Sequence, residues 1–147
     1  MLKGIHPLLN ADILHALGSM GHGDRLVICD ANFPSAAVAA ESVLGHHLEM
    51  SVDAISALEA ILSVFPVDTF DVDIPPACGM QVVGAPDEIP EVVQIADPII
   101  KNAGANIELI ERHAFYASAK QTYVVIRTTE TRFYGNFILR KGVVWPK

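Results

Sequence analysis

Basic residues are scarce in this chain: 10 Lys and Arg stand against 17 Asp and Glu, for a net charge of −7. Its one basic pair is Arg140-Lys141. Nucleic-acid binding rests on an electropositive footprint that neutralises phosphates, so that class of partner is excluded. Charged residues of either sign reach only 18%, below the usual quarter or so. Long apolar runs are missing as well, and no stretch approaches the roughly 18 residues that mark a membrane span. The opening Met1-Leu2-Lys3-Gly4-Ile5-His6-Pro7 lacks the apolar stretch of a signal peptide. The expectation is a cytoplasmic protein with no membrane partner.

Cysteine is nearly absent too. Cys29 and Cys78 each sit in an apolar run, outside any metal-type spacing, and read as buried free thiols. Among the 6 histidines no His-x-x-x-His occurs, and the adjacent His46 and His47 would point to opposite faces of a strand. No glycine-rich phosphate loop follows a strand, and no glycine-framed serine marks a nucleophile. Neither a metal nor an organic cofactor is expected.

Apolar residues, by contrast, make up 51% of the 147 positions. That excludes disorder. It also leaves more apolar surface than a monomer of this size easily hides, which points to contacts between subunits. Without repeat, linker or composition break, residues 1–147 read as one domain.

The pattern along the chain alternates strands with helices. Leu8–Leu17 reads as a short helix capped by Asn10, and Leu26–Cys29 as a strand covered on both faces. A small-residue segment follows from Ser35 to Val43, then a short strand over His46–Ser51. Ser51–Phe65 is the clearest helix, with Ser51 as its cap and Pro66 as its end. Ala77–Val83 is strand-like. Pro90–Ala103 is helical in pattern, but Pro98 predicts a break, with Asp97 capping a new start. Asn106–Ile110, Tyr123–Arg127 and Phe137–Leu139 read as strands and Ala114–Lys120 as a helix. The expected fold is α/β: a layered single domain with a mainly parallel central sheet flanked by helices.

Chemistry is concentrated in a few places. His22 lies between two glycines, directly before the first strand. Glycines let a ligand approach closely, and an imidazole can give or take a proton near neutral pH. Asp30 follows that strand, where open α/β sheets gather ligands. Arg112, Tyr116 and Tyr134-Gly135-Asn136 supply a guanidinium, two phenols and an amide, groups suited to a small ring of hydroxyls. Singly, each also reads as a surface charge, helix packing or a turn.

These same motifs resemble the RbsD/FucU family of ribose pyranases and fucose mutarotases. The resemblance runs from Met1-Leu2-Lys3 through Met20-Gly21-His22-Gly23-Asp24 and Asp30-Ala31-Asn32-Phe33-Pro34 to Val67-Asp68-Thr69-Phe70. It continues at Ala114-Phe115-Tyr116, Tyr134-Gly135-Asn136 and Leu139-Arg140-Lys141-Gly142-Val143. Gly23 and Ala114-Phe115-Tyr116 are similar to the fucose branch, whereas Asn32 and the stretch from Phe70 to Gln81 depart from it.

The resemblance implies an isomerase that interconverts the anomers of L-fucose or a related monosaccharide by acid–base ring opening. A ribose pyranase and a non-catalytic sugar-binding protein are its alternatives. It implies His22 as the acid/base, with Asp68 and Tyr116 as candidate partners in proton transfer. Asp30, Arg112, Tyr134, Gly135 and Asn136 would bind the sugar. It further implies a homo-oligomer, a decameric ring or else a dimer, and no cofactor.

Overall fold

Apolar side chains alternate between two cores along the strand Arg25–Cys29 (β1) in the computed structural model, which describes residues 1–147. Leu26 and Ile28 turn to one face and Val27 and Cys29 to the other, as the two-residue period of a strand requires. The remaining elements, in chain order around β1, are α1 (Ala11–Ser19), α2 (Ser35–Ala39), β2 (Leu48–Glu49), α3 (Ala54–Leu62), β3 (Ala77–Met80), α4 (Glu91–Asn102), β4 (Ile107–Ile110), α5 (Arg112–Ala119), β5 (Val124–Arg127) and β6 (Phe137–Arg140).

The strands form one six-stranded sheet in the order β2-β5-β1-β6-β3-β4. Every pair is parallel except those of β6, which runs antiparallel between β1 and β3. Helices α1, α3 and α4 cover one face through Ile13, Leu17, Leu58, Ile61, Val92 and Ile100. The other face carries a smaller core under α2 and α5, built from Val38, Phe115 and Ala119. The expected α/β class and mainly parallel sheet are therefore found.

Local chemistry moves several element boundaries. Asn10 caps α1 as expected, its Oδ1 accepting from Ile13 N–H at 2.9 Å. Helix α3 is capped by Asp53 rather than Ser51: its Oδ1 accepts from Ile55 and Ser56 N–H at 2.9 and 3.0 Å. The helix ends at Leu62, ahead of Pro66. Helix α4 passes through Pro98 unbroken. Pro98 and Gln94 both lie on the exposed side, so the carbonyl that loses its donor can turn to water. Val92, Val93, Ala96 and Ile100 keep the buried stripe continuous. Asp97 caps nothing; it pairs with Lys101 Nζ at 2.7 Å. The strand expected over His46–Ser51 shrinks to Leu48–Glu49, and β3 stops at Met80. Helix α5 begins two residues early, because Glu111 Oε2 accepts from His113 and Ala114 N–H at 2.8 and 3.1 Å. That shift puts Arg112 in its first turn.

Candidate active site

Beyond the carboxyl ends of β1, β3 and β4 lies a cleft of about 370 Å³, within the roughly 300–1,000 Å³ typical of ligand sites. Asp30, Arg112, Tyr116, Tyr134 and Asn136 line it together with Phe33, Met80, Val83 and Phe133. Asp30 and Asn136 clasp one another across the sheet. Asp30 N–H donates to Asn136 Oδ1 at 3.0 Å, and Asn136 Nδ2 donates to Asp30 Oδ2 at 2.9 Å. Asp30 Oδ1 accepts from Asn32 and Phe33 N–H, both at 2.9 Å. Burial pushes the Asp30 carboxyl above the ordinary carboxylate range, the donors from Asn32, Asn136 and Phe33 offset part of this, and the nearby Glu130 charge adds to it. Unused sites remain on both: a lone pair on Asp30 Oδ2, and on Asn136 a proton of Nδ2 and a lone pair of Oδ1.

The turn that delivers Asn136 is tightly specified. Tyr134 is the one non-glycine residue with positive φ, at 64°. Its hydroxyl accepts from Val83 N–H at 3.1 Å, leaving its own proton free to donate into the cleft. Gly135 is not among the residues lining this cleft; it leaves space, since a Cβ would meet Glu130 Cγ at 2.6 Å and Asp30 Cβ at 3.5 Å. Glu130, a residue missed in the sequence, anchors this loop from below. Its carboxylate takes Arg132 Nε at 2.9 Å and Nη2 at 2.7 Å, and it accepts from Ala54 N–H at 3.2 Å. The Arg132 hydrogen bonds outweigh burial and hold the Glu130 carboxyl below its usual range. An acid two places before an arginine carries no sequence signal that separates this pair from a solvated one.

Tyr116 stacks on Phe33, with ring centroids 5.3 Å apart, whereas Phe115 turns into the core and is fully buried. Arg112 also lines the cleft.

His22 and Asp68 are elsewhere. His22 precedes β1 and Asp30 follows it, so the two stand at opposite ends of the strand. Five residues at about 3.3 Å each put them on the order of 16 Å apart. The sequence reading sets one residue before this strand and the other after it yet groups both in a single site; the length of the strand is what separates them. At its own edge His22 Nε2 lies 3.4 Å from Asp68 Oδ2, with the imidazole 45% and the carboxylate 1% exposed. Burial raises the Asp68 carboxyl, but Phe70 N–H, His22 and Arg140 together carry it below the usual range. Beside it is a larger hollow of about 560 Å³, lined by Asp68, Asp71, Asp73 and Glu108. Its carboxylates do not converge in any group of three or more that could hold a metal ion, and it offers a sugar few donors. The smaller cleft is the better ligand site.

Fold and cleft define a single-domain α/β protein with a polar, aromatic-lined pocket at one sheet edge and an exposed histidine–carboxylate pair at the other. The chain belongs to the RbsD / FucU transport protein family, whose profile matches residues 3–144. The L-fucose mutarotase of Histophilus somni (strain 2336) is 40% identical, over 97% of this chain and 97% of its own. The crystal structure of protein Atu2016 superposes with a TM-score of 0.93 at 51% identity, covering 99% of this chain and 97% of that one. The fucose mutarotase of Streptococcus pneumoniae, solved in complex with L-fucose, gives a TM-score of 0.84 at 35% identity, covering 98% of this chain and 100% of that one.

Proposed function

We propose that this chain is a sugar mutarotase, an isomerase that interconverts the α and β anomers of L-fucose or a closely related monosaccharide. The observation that carries the reading is the cleft itself. Asp30, Arg112, Tyr134 and Asn136 present directional donors and acceptors around an apolar floor of Phe33, Met80 and Val83. A pyranose has that same division into a polar rim and apolar faces. Family membership and the fucose mutarotases among the relatives support it.

Mutarotation needs only protons. One leaves the anomeric hydroxyl as the bond from C1 to the ring oxygen breaks, and the ring oxygen takes one. Closure on the other carbonyl face reverses both transfers. His22 carries one of these protons, with Asp68 behind it, and the Tyr116 phenol serves the other. Positioned acid–base assistance of this kind is worth about 10²–10⁴-fold.

The separation of His22 from the cleft makes assembly part of the chemistry: His22 of one subunit completes the cleft of a neighbour. A ring in which each subunit passes its His22 surface to the next meets this requirement, and so does a two-fold dimer that exchanges the two surfaces reciprocally; of the two we propose the decameric ring. A cytoplasmic setting suits the two unpaired thiols, Cys29 and Cys78.

Saturation-transfer NMR on L-fucose, D-galactose and D-ribose tests the reading. We expect anomer exchange to accelerate most for L-fucose. Binding without exchange would mean a sensor, and fastest pyranose–furanose exchange with ribose would mean a pyranase.

A further inference from the structure

Arg140 ends β6 at the edge that carries His22, and the chemistry above makes no use of it. Its Nη1 lies 2.9 Å from Asp68 Oδ2 and 3.2 Å from Asp71 Oδ2, with the side chain 14% exposed. His22 Nε2 reaches the same Asp68 oxygen. That oxygen is buried and, despite the short approach of Arg140, receives no aligned hydrogen bond. Asp68 Oδ1 is already engaged by Phe70 N–H at 3.0 Å. Oδ2 is thus an acceptor with spare capacity, set between a permanent cation and an imidazole.

The surrounding backbone is built to hold this trio. A Cβ on Gly142 would fall 2.5 Å from Val67 O and 2.8 Å from Asp68 Cα, so only glycine lets the tail of β6 press against Asp68. Asp68 N–H donates to Arg140 O at 2.9 Å. The Arg140 guanidinium lies under the turn bearing His22, where Gly23 has φ +86° and its Cβ would stand 3.5 Å from Nη2. Gly23 N–H donates to Lys141 O at 2.8 Å. Lys141 Nζ donates to the carbonyls of Leu17 and Met20 at 2.8 and 2.6 Å, pinning the end of α1 to the same segment.

We propose that Arg140 is a positioning residue for His22, partly neutralising Asp68 so that the imidazole can both accept and release its proton, and that Asp71 sets how much of the Arg140 charge Asp68 receives. The proposal rests on His22 being the proton carrier. An unopposed carboxylate beside an imidazole favours the imidazolium and makes a reluctant acid. A guanidinium on the same oxygen offsets that preference, and a second carboxylate on the guanidinium restores part of it. The other charges nearby are committed or peripheral. Asp24 Oδ2 accepts from Gly21 N–H at 2.7 Å. Arg25, the cross-strand neighbour of Arg140, donates to Ser118 Oγ at 2.6 Å. Asp73 and Glu108 line the hollow on the far side of Asp68.

The test is an NMR titration of the His22 imidazole in the full-length protein, its Arg140→Gln, Arg140→Lys and Asp71→Asn variants, with pH profiles of anomer exchange alongside. Arg140→Gln should move the His22 midpoint to higher pH. Arg140→Lys should restore most of it. Asp71→Asn should move it the opposite way, and the pH limb of exchange should follow in each case while KM for the sugar stays put. Midpoints unchanged in both Arg140→Gln and Asp71→Asn, or moving in the same direction, would overturn the proposal. Should Arg140→Gln fail to fold, the conservative, partly exposed Asp71→Asn decides alone. A wild type without exchange activity would sink the mutarotase reading while the titration still reported on Arg140. Activity with a static His22 midpoint would sink only the role of Arg140.

Discussion

His22 stands in an exposed turn, so its removal costs the fold little. His22→Ala should slow anomer exchange by about 10²–10⁴-fold while leaving the thermal midpoint in place, and near-normal exchange would remove it from the chemistry. Phe115 and Tyr116, adjacent in the chain, have different fates. Phe115 is fully buried, and Phe115→Ala should cost about 3–5 kcal/mol in denaturant unfolding. Tyr116→Phe should leave stability almost unchanged and lower exchange. Tyr116→Ala should also erode the preference for L-fucose over D-ribose, since one methyl in an apolar pocket is worth about 1–3 kcal/mol. A selectivity ratio identical to wild type would make Tyr116 packing alone. Nothing in the sequence separates these two rings, because the docking angle of a two-turn helix decides which one is buried. That Asp30, Arg112 and Asn136 line one cleft was legible in part: a strand end points there without tertiary knowledge, whereas an arginine or an amide alone reads equally as surface or turn.

Among the elements, α3 offers the sharpest test of a boundary that the sequence reading misplaced. Ser51 is the expected cap, but the helix starts at Ala54 and Asp53 caps it. Asp53 prevails because its Oδ1 accepts from two backbone N–H groups while Oδ2 takes Ser56 Oγ at 2.7 Å. Burial works to raise its carboxyl, but these donors bring it below the ordinary range. Asp53→Ala should therefore cost about 1 kcal/mol at neutral pH, and Ser51→Ala almost nothing. A lowered folded pKa means that the stabilisation is fully present above the unfolded value near 3.9 and fades as pH falls through the folded value. Urea midpoints of wild type and variant should accordingly converge below about pH 4. A constant gap down to acid would assign the loss to packing. The continuous α4 shows the opposite limit: proline marks where a bond is lost, and only the exposed side of the helix decides whether that loss breaks it.

For the whole molecule, exposed apolar side chains collect at both sheet edges. Phe70 lies against His22 and stacks on Trp145, and Val83 and Phe133 line the cleft, all four exposed. Sedimentation should find a homo-oligomer at micromolar concentration, and Trp145→Asp or Phe133→Asp should weaken assembly and exchange together. A monomer with full activity would remove the composite site. Complementation makes the point more directly. His22→Ala and Arg112→Met, each inactive alone, should regain about a quarter of wild-type exchange when co-assembled in equal amounts, since that fraction of random interfaces pairs two intact halves. Composition hinted at association, and the order His22, first strand, Asp30 already set the two at opposite ends of one strand, but that the other polar residues gather with Asp30 alone is visible only in the folded sheet. Strand β6 then acquires a meaning beyond its place in the sheet. It leaves Asn136 at the cleft and arrives, four residues later, at Arg140 beneath His22. In the proposed ring it would work as a gauge block, its length setting the spacing between what a subunit offers one neighbour and what it receives from the other. Lengthening it by two residues would keep every side chain on its proper face yet leave successive subunits out of step, so the tolerance of this enzyme to insertion there should be as low as that of any catalytic residue.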